Sequence, residues 1–258
     1  MAELIRAVSA EVIEPRFEAL LDEEVRSKAP GEVVTIADEE GEARLRVRLR
    51  EIIEAPVIGE EACAANPSLL DGLNDERVWL VDPLDGTRNF VDGSPHWAVM
   101  VALLERGEAV ASWMWRPPDA RMYEAERGAG ATCNGVTLRC PGPPKDAAAM
   151  TGAALTGYLD EDTAATVDSN RARFGRVEAG SRCAGVDYPR VAEGELDFVL
   201  FWRTLPWDHA PGVLLVEEAG GFVARPDGSP YAVGDDRRGL LVASSTTAWT
   251  TARTILDP

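Results

Sequence analysis

The stretch Trp79-Leu80-Val81-Asp82-Pro83-Leu84-Asp85-Gly86-Thr87-Arg88-Asn89-Phe90 constrains the chain more than any other: an apolar run passes directly into two carboxylates, then into Gly-Thr. A short apolar run bounded by turn formers reads as a buried strand. Its end holds Asp82 and Asp85 rigidly, and Pro83 restricts the backbone so that both carboxylates point to one side. Gly86 and Thr87 follow with backbone N–H groups placed to meet an anion. That is a metal and phosphate site in outline. Taken alone, the same residues suit an ordinary turn equally well, because Asp, Pro and Gly are common turn formers.

At 258 residues the chain buries a substantial core as one large domain or two small ones. Lys and Arg total 26 against 44 Asp and Glu, a formal net charge of -18. Such a surface repels nucleic acid and anionic membranes, so neither is an expected partner. Part of the excess is expected to be offset by bound divalent cations; a solvated acidic surface explains most of it. Cys63, Cys133, Cys140 and Cys183 form no C-x-x-C pair, and only two histidines are present, which argues against a zinc site and for reduced thiols. With no signal-type N-terminus and no apolar run of about 20 residues, the expected location is the cytoplasm.

Along the chain, residues 2–27 carry Leu4, Ile5, Val8, Val12, Ile13, Leu20, Leu21 and Val25 at helical spacing, interrupted by Pro15. Two helices, or one kinked helix, are expected there. After a break at Pro30-Gly31 a second helix is expected to bury Leu45, Leu49, Ile52 and Ile53 and to end at Pro56. Val57-Ile58-Gly59 reads as a strand delivering Glu60 and Glu61 to a sheet edge. Residues 97–105 and 108–115 read as a hairpin turning at Arg106-Gly107, followed by a strand at 122–125. Pro141-Gly142-Pro143-Pro144 marks the expected domain boundary, giving units 1–145 and 146–258. Beyond it, strands alternate with helical patterns, an α/β arrangement.

Glu60, Asp82, Asp85 and the distant Asp208 are hard oxygen donors from three segments, with the Leu84 carbonyl available beside them. Mg2+ prefers such ligands together with substrate phosphate, and the set suffices for two or three cations. Each residue also has an ordinary reading: Asp208 as a helix N-cap, Glu60-Glu61 as a solvated pair, and His96, His209 and the tryptophans as packing residues.

Taken together, Gly59-Glu60-Glu61, then Asp82-Pro83-Leu84-Asp85-Gly86-Thr87, then Gly128-Ala129-Gly130-Ala131 with Asn134-Gly135, then Trp207-Asp208 through Glu218-Ala219-Gly220-Gly221, resemble the inositol monophosphatase family in order and spacing. The resemblance spans nearly the whole chain. It implies a layered αβαβα sandwich of the sugar-phosphatase type, Mg2+ dependence, lithium sensitivity and a homodimer. By position, Glu60, Asp82 and the Leu84 carbonyl are expected to bind an activating cation, and Asp82, Asp85 and Asp208 a second. Glu60 is also expected to help hold a weaker third. Thr87, paired with Asp38, is expected to orient and deprotonate the attacking water, and Gly86 and Thr87 to cradle phosphate. The implied reaction is direct in-line hydrolysis of a small phosphomonoester.

Several residues depart from the family pattern. Arg88 follows Gly-Thr where a second threonine is usual, and Phe201 stands seven positions before Asp208, where inositol-preferring relatives carry an acid. Ser181 and the bulky Arg182 occupy a segment of small residues that touches substrate in the family. Arg88, Ser181, Arg182, Phe201 and Asp208 are therefore the expected substrate contacts, with Arg182 or Arg203 suited to a second anionic group. Histidinol phosphate, 3'-phosphoadenosine nucleotides and sugar bisphosphates stand beside inositol monophosphate as candidate substrates. Two other readings compete. A haloacid-dehalogenase phosphatase would space its aspartates one residue apart and nearer the N-terminus. A non-catalytic metal- or phosphate-binding regulator would lack turnover.

Overall fold

The structure is a computed structural model that describes residues 1–29, 31–142 and 146–258. Of the expected proline breaks, Pro30, Pro143 and Pro144 lie outside the described residues.

Helix α1 (Ala2–Val8) runs into a π-helical turn (Ser9–Ile13) and a 3-10 turn (Glu14–Arg16) that contains Pro15. Proline has no N–H to donate, and the helical ladder stops there. The helical spacing read onward through Val25 does not persist. Leu21 is exposed, and Val25 opens strand β1 (Val25–Ala29), which pairs antiparallel with β2 (Glu32–Thr35). The hairpin pairs backbone groups between its two strands, whereas a short, half-polar helix would be marginal in water without an apolar face to bury. Thr35 then caps α2 (Ile36–Ile52): its Oγ1 accepts from the Ala37 N–H at 3.1 Å, and its own N–H donates to Asp38 Oδ2 at 2.7 Å. Leu45 and Leu49 are buried as expected, whereas Ile52 is exposed in the last turn and Ile53 lies beyond it.

Strand β3 (Val57–Gly59) leads into α3 (Glu60–Ala65). It is followed by β4 (Val78–Asp85), α4 (Thr87–Val91), β5 (Ala98–Glu105), β6 (Glu108–Arg116), β7 (Arg121–Glu126), β8 (Gly130–Cys133) and β9 (Val136–Thr137). These strands form a seven-stranded sheet in chain order, parallel at β3–β4 and antiparallel elsewhere. Arg106 and Gly107 both take positive φ, the conformation of a tight β5–β6 hairpin. The second half supplies β10 (Thr151–Ala154), α5 (Glu161–Asn170), β11 (Arg176–Glu178), α6 (Ala184–Ala192), β12 (Phe198–Phe201), α7 (Pro206–Glu218), β13 (Phe222–Ala224), β14 (Leu240–Ala243) and α8 (Thr246–Leu256). Its five strands lie in the order β11-β10-β12-β14-β13.

Alternation along the strands stacks these elements into five layers. In β4, Trp79 and Val81 pack with Ile5, Ile13, Leu45 and Leu49 of the N-terminal helical layer, while Val78 and Leu80 face Val186, Leu214 and other residues of α6 and α7. In β12, Val199 and Phe201 join that same central helical layer, and Phe198 and Leu200 pack with Val167, Trp249 and Ala252 of α5 and α8. The order is helix, sheet, helix, sheet, helix, the layered αβαβα sandwich expected from the sequence. Period-2 alternation places Asp82, the residue after Val78 and Leu80 on their face, toward α7, the helix that carries Asp208.

The central layer is closely packed. A Cβ on Gly212 of α7 would lie 2.2 Å from the Tyr188 ring of α6, and Tyr188 is fully buried with nowhere to move. Gly212→Ala is therefore expected to cost about 1–3 kcal/mol through overpacking. Thermal unfolding should show a Tm lower by several degrees, and an unchanged Tm would mean the two helices separate without penalty.

Candidate active site

Glu60 is placed by a residue that carries no signature of its own. The buried Glu42 of α2 accepts the Glu61 N–H at 2.7 Å and the Ala62 N–H at 3.1 Å, satisfying the first turn of α3. A Cβ at Gly59 would sit 2.2 Å from Glu42 Oε2, so only glycine lets the carboxylate reach the helix. Glu60 thus follows the edge strand β3 directly, as the sequence suggested, and opens a helix there.

At the end of β4 the pairing with β5 slips between Asp82 and Asp85, and Asp82 Oδ1 accepts the Leu84 N–H at 2.9 Å across Pro83. Asp85 Oδ2 accepts the Gly185 N–H at 2.6 Å and the Cys183 thiol at 3.1 Å, which ties the strand end to α6. Gly86 takes φ +84, and a Cβ there would lie 2.6 Å from the His96 carbonyl. Conformation and space both require glycine at this position. Thr87 then opens α4, and its hydroxyl lies 2.9 Å from Asp38 Oδ1 and 3.0 Å from the Leu84 carbonyl. Burial raises the Asp38 carboxyl to about 6, against the lowering effect of its bonds from Thr35 and Thr87.

Asp208 lies in the first turn of α7, which begins at Pro206, and is not its N-cap. One oxygen each from Glu60, Asp82 and Asp208 lie within 4.8 Å of one another. Burial, and then the facing charges of Glu60, Asp85 and Asp208, push Asp82 well above the carboxylate range. Asp208 is pushed the same way by burial, Asp85 and Glu60, with Arg203 opposing. Asp85 rises to about 6, burial leading and the Gly185 N–H opposing. Hard oxygen donors that crowd and repel one another in a partly desolvated site are the donor set a divalent cation requires, so these residues fit the group the sequence implied. Asp85 stands outside the closest trio but faces the same space.

That space is a cavity of about 670 Å3 lined by Glu60, Asp82, Leu84, Asp85, Gly86, Thr87 and Asp208. Arg88, Arg182, Phe201 and Arg203 line it as well. Asp38 sits behind Thr87, fully buried. Phe201 is buried, stacked on Tyr188 at 5.0 Å between ring centroids, and so forms wall more than contact surface. Ser181 is not among the lining residues; its hydroxyl donates to the Cys183 carbonyl at 2.9 Å. It faces a neighbouring cavity of about 530 Å3. His209 is a packing residue as expected: the Tyr188 hydroxyl donates to its Nδ1 at 2.8 Å, and its Nε2–H donates to the Arg203 carbonyl at 2.9 Å. Burial lowers its pKa to about 4, in keeping with that neutral tautomer.

Lys28 went unread in the sequence. Its ammonium donates to Glu60 Oε1 at 2.8 Å and Glu61 Oε1 at 3.0 Å. Burial would lower its pKa, but the two carboxylates raise it above the ordinary lysine value. The clue was the lone lysine between Glu-rich segments, visible only once the hairpin is known to fold over α3. Glu42 left no clue at all.

With this geometry in hand, the comparisons are decisive. The profile of the inositol monophosphatase family matches residues 2–256. The chain belongs to the inositol monophosphatase family. It is 34% identical over 212 residues to an inositol-1-monophosphatase of Mesorhizobium japonicum, a match covering 80% of this chain and 76% of that one. It is also 34% identical to the chloroplast phosphatase IMPL1 of Arabidopsis thaliana over 84% of the chain, spanning 59% of that longer protein. An IMPase structure from Thermotoga maritima superposes with a TM-score of 0.81 at 24% identity, covering 99% of this chain and 96% of that one. The named relatives are phosphoric monoester hydrolases, in agreement with the hydrolase expected from the motifs. Family membership also sets aside the haloacid-dehalogenase reading. Among the described residues no helix is long and apolar enough to cross a membrane.

The repulsion within the cluster has a measurable consequence. Because the folded state raises the pKa of Asp82 and Asp208, their ionised forms oppose folding at neutral pH, and protonation or a cation relieves the strain. Asp208→Asn should raise the Tm measured in EDTA at pH 7.5 by about 2–4 °C, the shift that ~1 kcal/mol produces at this size. It should also lose most of the stabilisation that Mg2+ confers on the wild type. Equal Mg2+ shifts in both proteins would remove Asp208 from the cation site.

Proposed function

We propose that the chain is a Mg2+-dependent phosphomonoesterase acting on a small phosphorylated metabolite. The observation that carries this reading is the Glu60, Asp82 and Asp208 trio opening into the same cavity as the Thr87–Asp38 pair. A divalent cation held by these carboxylates, with Asp85 and the Leu84 carbonyl beside them, would neutralise phosphate charge and acidify a water.

The chain's own groups do the rest. The scissile phosphate lies against Gly86 and Thr87 at the start of α4, between the carboxylates and the cationic side chains of the cavity. Asp38 accepts the Thr87 hydroxyl proton, which leaves a Thr87 lone pair to accept from the attacking water and orient it in line. As that water attacks, its proton passes toward Thr87 and Asp38, the ester P–O bond breaks, and the substrate oxygen leaves as an alkoxide that takes a proton from solvent, so the phosphoryl group transfers to water with no covalent enzyme intermediate. The lining Cys183 is no competing nucleophile, since burial and the adjacent Asp85 hold its thiol protonated. Phe201 offers no acceptor for substrate hydroxyls, so an inositol ring is one candidate among several. Histidinol phosphate, a 3'-phosphoadenosine nucleotide and a sugar bisphosphate are the others. Lithium sensitivity and a homodimeric state are parts of the same reading, as is a cytoplasmic setting.

The test is Mg2+-dependent phosphate release across those four substrates, with Li+ as inhibitor. Asp85→Asn and Asp208→Asn are expected to abolish turnover while retaining the fold, and near-normal turnover in either would sink the assignment. Thr87→Ala should lower kcat by about 10²- to 10⁴-fold with little change in Mg2+ affinity. Release from no substrate at all would favour the non-catalytic regulator. The pH profile carries a further sign. Asp38 must be ionised to accept the Thr87 proton, and burial places its pKa at about 6. At saturating Mg2+, kcat should therefore fall as pH drops through that value, by about tenfold per pH unit below it. A profile flat down to pH 5 would exclude Asp38 from the proton path.

A further inference from the structure

Four cationic side chains that line the catalytic cavity differ in how far their charge is already matched. Lys28 is bound to Glu60 and Glu61, Arg88 pairs with Asp92 at 3.1 Å, and Arg203 pairs with Glu32 while lying 5.0 Å over the Tyr158 ring. Arg182 alone has no carboxylate within 4.0 Å among the described residues. Its partner is neutral: Nη2 donates to Asn89 Oδ1 at 3.0 Å. The Asn89 amide is itself fixed, its Nδ2 donating to the His96 carbonyl at 2.8 Å and the Ser181 carbonyl at 2.9 Å. A guanidinium carries five N–H donors, so most of those on Arg182 are left for a ligand.

The backbone beneath Arg182 is built to hold it. The strap 180–183 crosses α4 and is pinned by the Ser181 N–H to the fully buried Asp187 carboxylate at 3.1 Å and by the Cys183 thiol to Asp85. Arg182 takes φ +60, in the left-handed region that disfavours a side chain. A glycine would adopt that conformation freely, yet a long cation stands there, exposed at the rim of the cavity. An observed outlier of this kind points to a functional demand on the side chain. Leu155, Tyr158, Phe201 and Trp202 also line the cavity and carry no acid; Arg182 borders the neighbouring cavity as well, whose acids Asp119, Glu178 and Glu195 form no ion pair with it among the described residues. The cavity, about 670 Å3, exceeds what a single phosphate fills.

We propose that Arg182 is a specificity-determining residue that receives a second anionic group, phosphate or carboxylate, on the organic part of the phosphomonoester. The inference rests on the phosphatase reading and deepens it by naming the substrate class. The guanidinium holds that group through charge-assisted, bidentate hydrogen bonds from its place beside Asn89 of α4.

The experiment compares kcat/KM of wild type, Arg182→Gln and Arg182→Lys on two matched pairs in Mg2+. Fructose 1,6-bisphosphate against fructose 1-phosphate supplies the phosphate arm. 3-Phosphoglycerate against glycerol 3-phosphate supplies the carboxylate arm. Wild type should prefer the doubly anionic member of at least one pair, and the preferred arm identifies the group. Arg182→Gln should cut that preference by roughly ten- to a hundredfold, mostly through KM, the size of a charge-assisted hydrogen bond. Arg182→Lys should restore part of it, and the Tm of both variants should stay near wild type. A preference left intact in Arg182→Gln, or equal losses on both members of each pair, overturns the role of Arg182 alone. Absence of phosphate release by wild type from all four compounds and from inositol phosphate overturns the phosphatase reading itself.

Discussion

Mutual repulsion among buried carboxylates at the end of β4 is the constraint around which this molecule is arranged. Bringing oxygens of the buried Asp82 and the half-buried Glu60 and Asp208 within 4.8 Å of one another works against folding unless a cation or proton offsets the charge. The fold opposes that tendency with three separately anchored segments: α3 from the N-terminal half, the end of β4, and the first turn of α7. A cluster held from three sides has its oxygens fixed in place by the fold, the arrangement that preorganisation requires.

One device recurs around the site: a buried carboxylate accepts backbone N–H groups next to a glycine that has no room for a Cβ. Glu42 serves α3 through Gly59, and Asp85 serves α6 through Gly185, where an added Cβ would lie 2.4 Å from Ala98. Asp187 serves the strap that carries Arg182. Desolvation, which raises the pKa of Asp38, Asp82 and Asp85, is produced by the same layering that forms the core. Stability and chemistry are coupled because the packing of α2, the large sheet and α7 that forms the core also desolvates the carboxylates.

Much of the site was legible in linear sequence because its residues fall in local patterns. An apolar strand ending in Asp82-Pro83-Leu84-Asp85-Gly86-Thr87 dictates its own burial and turn, and Gly59-Glu60 and Trp207-Asp208 carry equally local signals. Residues whose roles depend on long-range approach left no such trace. Lys28 and Glu42 reach Glu60 and α3 only through tertiary packing, and the hairpin that carries Lys28 was hidden by apolar spacing that suited a helix. Ser181 was assigned by its place in the chain, yet its hydroxyl turns back to Cys183 and away from the carboxylates.

The sequence by itself determined the family, the layered class of fold and the acidic residues that stand as candidate donors, because hydrophobic period and turn chemistry act over a few residues and are intact around these motifs. Tertiary structure decided which charges meet. Asp208 lies 126 positions beyond Asp82 in the chain, and only the stacking of α7 on the large sheet brings the two into one cluster. It likewise decided which cations are neutralised and which remain available, so that Arg88 and Arg203 are paired and Arg182 is not. Ion pairing depends on separations of a few ångströms, and no one-dimensional pattern encodes these.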